Sequence, residues 1–500
     1  MLMKNKMLTI LMSSLPFLLL PGIANAGFLA GLSGIALTLV NMLISFAISA
    51  IMNKIFGRKN RDQEREAQAL LINKQSNNDP TPVIYGKLRT GGVRAYIESS
   101  NGSGDVSATT YMNVVLSMCE GQMGAIKQLM FNDIVVWNAD ASGTTTDLGG
   151  GAYSLDYSSF ESTDYKNSTS IDVIYHDGRD DQTVDSMMST SVGAKWGTNH
   201  RLRAVAYMAV KLQFDSEKYS GGLPLITAVL AGKYVADVST ITAGDTSYGT
   251  QTVGADQNPI DVLYDYMTNK RYGKGLDHKP DGTYSANLDI DIDSIKQARI
   301  DCAAAGFEIN GVLHTNNKLY ENMQQISDSC NALVIYTAGK YKVMIQKPSE
   351  TSVMNFNTDN MLGEMTVTGA VKANRLNKIT TEYPNEATNY NEDMLITDNT
   401  AYLSTDNGNV LETTVKSNLL TDETVVTKLN DWTLDTSRYQ QTISFLAPHT
   451  ALICECGDII TVTHDVAGWT AKPFRIMQMD ITETNDISII ATEYISSIQV

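Results

Sequence analysis

Cysteine is scarce and does not come in pairs. Cys119, Cys302, Cys330, Cys454 and Cys456 are the only five in 500 residues. That number and spacing exclude a disulfide framework of the small secreted kind. Cys302 and Cys330 fall on the apolar faces of two expected helices and read as buried free thiols. A surplus of positive charge is missing too. With 38 Lys and Arg against 55 Asp and Glu the net charge is −17. A surface of that sign repels phosphate and argues against specific binding of nucleic acid.

Catalytic signatures are also absent. The sequence holds no nucleophile elbow, Walker loop, dinucleotide fingerprint or zinc-protease helix. Two clusters have ligand-type residues but the wrong spacing. Cys454-x-Cys456 with His464 does not match a zinc knuckle. The run His176-Asp177-Gly178-Arg179-Asp180-Asp181 lacks the ligand order and terminal Glu of a calcium loop, and reads as a solvated acidic turn. No catalytic, cofactor-binding or metal-binding residue is assigned, and no cofactor is expected. The chain reads as a non-enzyme.

What is present is β-forming material. Tyrosine outnumbers phenylalanine, 23 to 11, and short Val/Ile/Thr/Tyr runs recur between Gly, Asn, Asp and Ser. A hydrophobic share of 43% and a charged share of 19% describe globular domains, and the length allows two to four.

The first 57 residues differ from the rest. Residues 1–26 have the layout of a secretory signal: Lys4 and Lys6, an apolar run from Met7 to Leu20, then Ala24-Asn25-Ala26. From Gly27 to Asn53 there is no charge. As a helix this stretch would be about 40 Å long, enough to cross a hydrocarbon core of about 30 Å. Its large apolar side chains lie all round the helix, so it calls for a membrane or an oligomer interior. Basic residues flank both runs (Lys4 and Lys6; Lys54, Arg58, Lys59 and Arg61), which places both flanks on the cytoplasmic side with a turn at Pro21-Gly22. Residues 58–80 read as a polar linker with a short helical stem.

The expected organisation is therefore an apolar N-terminal helical segment at 1–57, a linker at 58–80, and a β-rich domain at 81–255 with a loop-rich insertion about 139–200. An α/β module at 256–347 and a C-terminal β domain at 348–500 complete it. The fold class is mainly β with an α/β insert. Strands are expected at 81–87, 111–118, 126–137 (turned at Asn132-Asp133), 203–214 and 225–235. Asn258-Pro259 should open a helix ended by Gly273. Asp291 or Asp293 should open a second, stopped by Gly306. A third spans about 316–331 with Leu319, Met323, Ile326 and Cys330 on one stripe. A hairpin turns at Ala338-Gly339. Further strands are expected at 375–383, 439–445, 458–463, 474–480 and 487–493, with Trp469 and Pro473 in a loop.

Five segments, in order, resemble the central tail-tip hub proteins (tip attachment proteins) of lambda-like long-tailed bacteriophages. They are Pro82–Lys87 with Gly91-Gly92; Leu202–Phe214 with Leu223-Pro224 and Gly232–Val235; Asn258–Gly275; Ala373–Leu376; and Gly457–Thr463 with Gly468-Trp469 and Phe474–Ile476. The resemblance covers about 80–500. It implies tail-tube-like β-barrel hub domains arranged as a homotrimer that closes the tail tube and opens for DNA ejection. The implied partners are the distal tail protein ring, the tape measure protein and other tail-tip and receptor-binding proteins, since the chain lacks the long receptor-binding extension of larger members. The implied location is the virion tail tip, assembled in the host cytoplasm, with possible host membrane contact through residues 27–53. Two alternatives stand beside it: a membrane-anchored bacterial envelope protein with a β-rich domain, and a tail-associated cell-wall hydrolase.

Overall fold

The computed structural model describes residues 80–498 apart from 102–109, 162–170, 214–222, 254–256, 370–374 and positions 349, 440 and 483. The apolar segment 1–57 and all of the linker but residue 80 lie outside the described residues. Among the described residues no helix is long and apolar enough to cross a membrane. The architecture is mainly β, with helices concentrated between residues 259 and 328.

The N-terminal unit packs two antiparallel sheets on one core. The larger has six strands, in the order Val93–Asn101, Thr110–Glu120, Val205–Gln213, Ile171–His176, Ala152–Leu155 and Thr145–Gly149. The smaller has four: Lys87–Thr90, Ile226–Lys233, Met123–Phe131 and Ile134–Asn138. Leu116, Met118, Val173, Met208 and Val210 of the first sheet meet Leu88, Ile126, Leu129, Phe131 and Leu230 of the second. Asn132 and Asp133 both take positive φ (49° and 66°) and turn the expected hairpin. Val205–Gln213 alternates in sequence but is buried on both faces. Its other face, at Tyr207 and Ala209, lies under Met188 of the helix Ser186–Val192 and under Trp196. Residues 139–200, expected to be loop-rich, supply three strands of the large sheet and that covering helix. The short polar strand Thr145–Gly149, exposed along its length, carries little apolar periodicity for a sequence reading to detect.

The α/β module follows its local signals closely. The Asn258 side chain accepts a bond from the Ile260 amide at 2.9 Å, and Pro259 opens the helix Pro259–Thr268. Asp291 caps Ile292–Ala305, and Gly306 ends it at φ 69°. Two details differ from expectation. The first helix stops at Asn269, four residues before Gly273. Gly273 instead permits close packing, since a Cβ there would lie 2.0 Å from the Tyr266 carbonyl oxygen. In the helix Leu319–Asp328, Met323 and Ile326 are buried but Leu319 is exposed.

The C-terminal unit is a six-stranded sheet in the order Ser352–Phe356, Ile459–His464, Trp469–Ile481, Ile487–Glu493, Thr442–Ala447 and Leu362–Thr368. Trp469 and Pro473 lie within a strand rather than a loop. Its two edge strands are consecutive in the chain, joined by residues 357–361. The sheet curls about Phe356, Phe445, Ile460 and Phe474. Its edges do not pair with each other, and among the described residues no sheet closes into the expected β-barrel. Between Leu362–Thr368 and Thr442–Ala447 the chain makes an excursion. Strands Asn391–Asp398, Lys378–Asn385 and Glu412–Lys416 form a small sheet, backed by the helix Glu423–Thr436.

That excursion is pinned at its base by one ion pair. Arg438 grips both oxygens of Asp406 at 2.6 and 3.0 Å, and Asn377 donates to the same carboxylate at 2.9 Å. The Arg438 bonds hold the Asp406 carboxyl down at about 2. A carboxyl depressed in the folded state stabilises it above its unfolded value of about 4 and loses that contribution as pH falls through the folded one. Asp406→Asn should therefore be less stable than wild type at pH 7. The gap should narrow steadily between pH 4 and pH 2, as followed by urea midpoints. A gap that stays constant with pH would show that the charge does not matter.

Candidate functional site

The strand Val83–Tyr85 is only three residues long, yet all three are fully buried. Successive side chains of a strand point to opposite faces. Here both faces are interior. Val83 and Tyr85 enter the core of the α/β module, while Ile84 enters the core of the N-terminal sheets. Its antiparallel partner Gly311–Leu313 does the same, with Leu313 on one side and Val312 on the other. This two-stranded ribbon is the seam of the molecule.

Close backbone contact at the seam depends on glycine. Gly86 has φ 65°, and a Cβ there would sit 2.1 Å from Asn310 Oδ1; at Gly311 it would sit 2.0 Å from the Asn418 carbonyl oxygen. Amide side chains satisfy the turning backbone. Gln257 accepts from the Gly86 amide at 2.8 Å and donates to the Lys233 carbonyl at 2.9 Å. Asn310 accepts from the Lys87 amide at 2.9 Å. The Asn310 and Val312 amides donate to the Leu419 and Asn418 carbonyls, both at 3.0 Å, which ties in the C-terminal excursion.

Charged groups surround this ribbon. Asp265 accepts from the hydroxyls of Tyr85 (2.7 Å) and Tyr272 (2.6 Å), with Lys233 at 3.4 Å. Burial, and then the Asp265 charge, hold both tyrosines well above their ordinary range. Arg89 is buried and donates to Thr227 at 3.0 Å, to the Asn389 carbonyl at 3.4 Å and to Asp133. Lys87 pairs with Glu386 at 2.8 Å. Beside the seam lies a polar cleft of about 490 Å³, lined by Glu120, Arg179, Asp180, Asp181, Lys233 and Arg271 among others. Arg271 crosses it to Glu120 at 2.6 Å. Burial raises the Glu120 carboxyl, against the opposing pull of Arg271.

The clusters singled out in sequence fall in different places. His176 and Asp177 are buried, not solvated: His176 Nε2 meets Asp185 at 2.9 Å, and Asp177 accepts from Arg179 at 2.8 Å. Only Asp180 and Asp181 of that run are exposed, at the cleft. Cys454 is buried in the C-terminal core, and His464 Nδ1 accepts the Ala467 amide at 3.3 Å. Among the described residues no cluster of His, Cys, Asp and Glu could hold a metal ion. Sequence reasoning missed Arg89, Gln257 and Asn310, because their partners lie far along the chain, while Asp265 lay unremarked inside Asn258–Gly275. Pro82–Lys87, Gly232–Val235 and Asn258–Gly275, noted as segments, all meet here.

Edges are the other exposed feature. Leu362 and Val367 on one edge strand of the C-terminal sheet, and Val353 on the other, are about 40% exposed.

Replacing Gly86 or Gly311 with Ala should lower the unfolding free energy by roughly 2 kcal/mol or more, through strain and overpacking. Gly339→Ala, at an open hairpin turn where a Cβ meets nothing within 4 Å, should cost less. Denaturant titration of the three variants measures this. Equal small losses at all three would contradict the account of the seam.

The family model Phage-tail_3, described as "Putative phage tail protein", matches residues 320–479. The chain is 22% identical over 466 residues to "Baseplate hub protein pb3" of Escherichia phage T5. The match covers 83% of this chain and 47% of that protein, so the chain spans about half the length of this relative. Among solved structures, a chain in the "Virion of native gene transfer agent (GTA) particle" shares the fold, with a TM-score of 0.57 at 12% identity over 86% of this chain and 88% of that one. The chain is thus similar, at a distance, to a phage baseplate hub protein, and over residues 320–479 to a family of tail proteins.

Proposed function

We propose that this chain is the hub of a phage tail tip, a homotrimer that closes the tail tube and opens it for DNA ejection. The observation that carries the reading is the similarity to a baseplate hub protein along 83% of the chain. The architecture supports it. The seam joins the N-terminal sheets, the α/β module and the C-terminal excursion, and among the described residues the C-terminal sheet ends in two unpaired edges with exposed apolar side chains. Such edges invite strand pairing and are normally blunted or covered. Three copies meeting edge to edge would cover them and complete around the axis the wall that one chain leaves open. The acidic balance suits a conduit that must not hold its DNA.

The distal tail ring and the tape measure protein are the partners this position implies, with receptor recognition carried by other tail-tip proteins. Residues 27–53 would meet the host membrane during delivery.

Light scattering on the purified chain should give a trimer. Leu362→Lys with Val367→Lys should give a monomer with an unchanged circular dichroism spectrum, because both side chains are exposed. A double variant that still trimerises would remove this edge from the interface. A wild-type chain that is monomeric and absent from purified particles would end the hub reading. Separately, particles assembled with a chain lacking residues 1–57 should adsorb but fail to eject; full infectivity would rule out the membrane role.

A further inference from the structure

Three side chains converge where the excursion returns to the C-terminal sheet. Gln441 directly precedes the strand Thr442–Ala447, Lys472 lies in Trp469–Ile481, and Glu493 ends Ile487–Glu493. These strands are neighbours, with Ile487–Glu493 in the middle. The Glu493 amide donates to the Gln441 carbonyl at 2.8 Å, so their backbones lie side by side. On its other side Glu493 pairs with Phe474, two residues beyond Lys472. The Lys472 side chain reaches across the middle strand. Its ammonium donates to Gln441 Oε1 and pairs with Glu493 Oε1 at 2.8 Å. The rings of Trp469 and Phe474 lie beside it, their centroids 4.9 and 5.6 Å from Nζ. The pair is largely withdrawn from water, with side-chain exposures of 21% for Lys472 and 10% for Glu493. A nucleophile, an amide acyl group and a proton acceptor thus touch one another at one point. Nothing in the seam or at the sheet edges uses them.

We propose that Lys472 and Gln441 are the site of a self-catalysed intramolecular isopeptide bond, with Glu493 as the proton carrier. The Lys472 ammonium passes one proton to the Glu493 carboxylate. The freed amine attacks Gln441 Cδ, which lies one carbonyl bond, about 1.2 Å, beyond the oxygen that Lys472 already touches. A C–N bond to Nζ forms and the C–N bond to Nε2 breaks. The leaving nitrogen takes the Glu493 proton and the spare proton of Nζ, and departs as ammonium. Glu493 is a carboxylate again, and one amide has replaced another, so no oxidant, reductant or co-reactant is needed. Contact between the two reacting groups makes the encounter unimolecular, and a positioned carboxylate serves both proton transfers. The aromatic rings hold the cation in place beforehand. The bond would enclose residues 441–472 and clamp the two strands that flank Ile487–Glu493. It would fix the return of the excursion three residues past Arg438, whose pair with Asp406 pins the same base. The cross-link does not depend on the hub reading.

The test is chymotryptic mapping by mass spectrometry of the full purified chain, denatured either fresh or after incubation at mildly alkaline pH. Cleavage after Tyr439, Phe445, Trp469 and Phe474 separates the Gln441 and Lys472 segments. The expected product is one branched species that joins them, lighter than their sum by one ammonia, in a fraction that rises with incubation. Lys472→Arg keeps the charge and should give none of it. Glu493→Gln keeps the shape of the side chain but carries no proton, and should lower the yield at least tenfold. The joined chain should melt several degrees above Lys472→Arg, because a cross-link restricts the unfolded state. Two separate peptides of full mass, in both fresh and incubated wild type, would overturn the proposal. An undiminished yield in Glu493→Gln would remove Glu493 as the proton carrier. Mapping of the wild type stands even if the variants fold poorly.

Discussion

A strand that is buried on both faces has nowhere to slip. Moving Val83–Tyr85 by one residue against Gly311–Leu313 would swap the side chains sent to the two cores, placing Ile84 where Tyr85 must reach Asp265. The ribbon is short, so it cannot resist such a slip by length. It does so because its side chains are buried in two different cores, and the Asn310 and Val312 amides are bound to the Leu419 and Asn418 carbonyls. Gly86, Gly232 and Gly311 allow neighbouring chain segments to approach until no side chain fits between them. The relative placement of the N-terminal sheets, the α/β module and the C-terminal excursion follows from this one packing arrangement.

Local chemistry made much of this fold legible. Asn258-Pro259, Asp291 and Gly306 mark helix ends because a cap acts within a few residues of itself. Asn132-Asp133 and Ala338-Gly339 mark hairpins for the same reason. Thr145–Gly149 and Ala152–Leu155 could not be read that way: the first is polar and exposed throughout, and the second is only four residues long. The excursion within the C-terminal unit was equally hidden, because a chain that leaves a sheet and returns to it carries no local signal. The seam lies between these cases. Its segments stood out in the sequence, but their convergence did not: Gln257 to Gly86 and Asn310 to Leu419 are contacts of long sequence separation. His176 and Asp177 show the converse error, two polar residues in a Gly-containing run that looked like a wet turn and are buried against Asp185, Met123 and Arg179.

The open sheets explain why one chain cannot display the barrel that its resemblance implies. A six-stranded sheet can curl around a core of Phe356, Phe445 and Phe474 and still leave both edges unpaired. Whether such edges are a liability or an interface depends on what covers them. On the hub reading they belong to the assembly, and the wall of the tube is a property of several copies.

This division of labour bears on where movement can occur. Many bonds of the seam run between backbone groups and neutral amides, which neither titrate nor weaken with salt; its charged contacts include the Asp265 carboxylate at Tyr85 and Lys233 and the ion pairs Lys87–Glu386 and Arg271–Glu120. Lys87–Glu386 is partly exposed, and pairs of that kind contribute little and are screened, whereas Glu120 is buried. A rise in ionic strength therefore loosens Lys87–Glu386 before it reaches the amide bonds of the ribbon. Opening a passage by separating the units of one chain would mean pulling Ile84 and Val312 out of one core and Tyr85 and Leu313 out of the other. On the hub reading, parting the edges of neighbouring copies would leave both of those cores closed. If the chain gates a tube, the lower-energy route is for rigid bodies to part from one another, with the seam intact throughout.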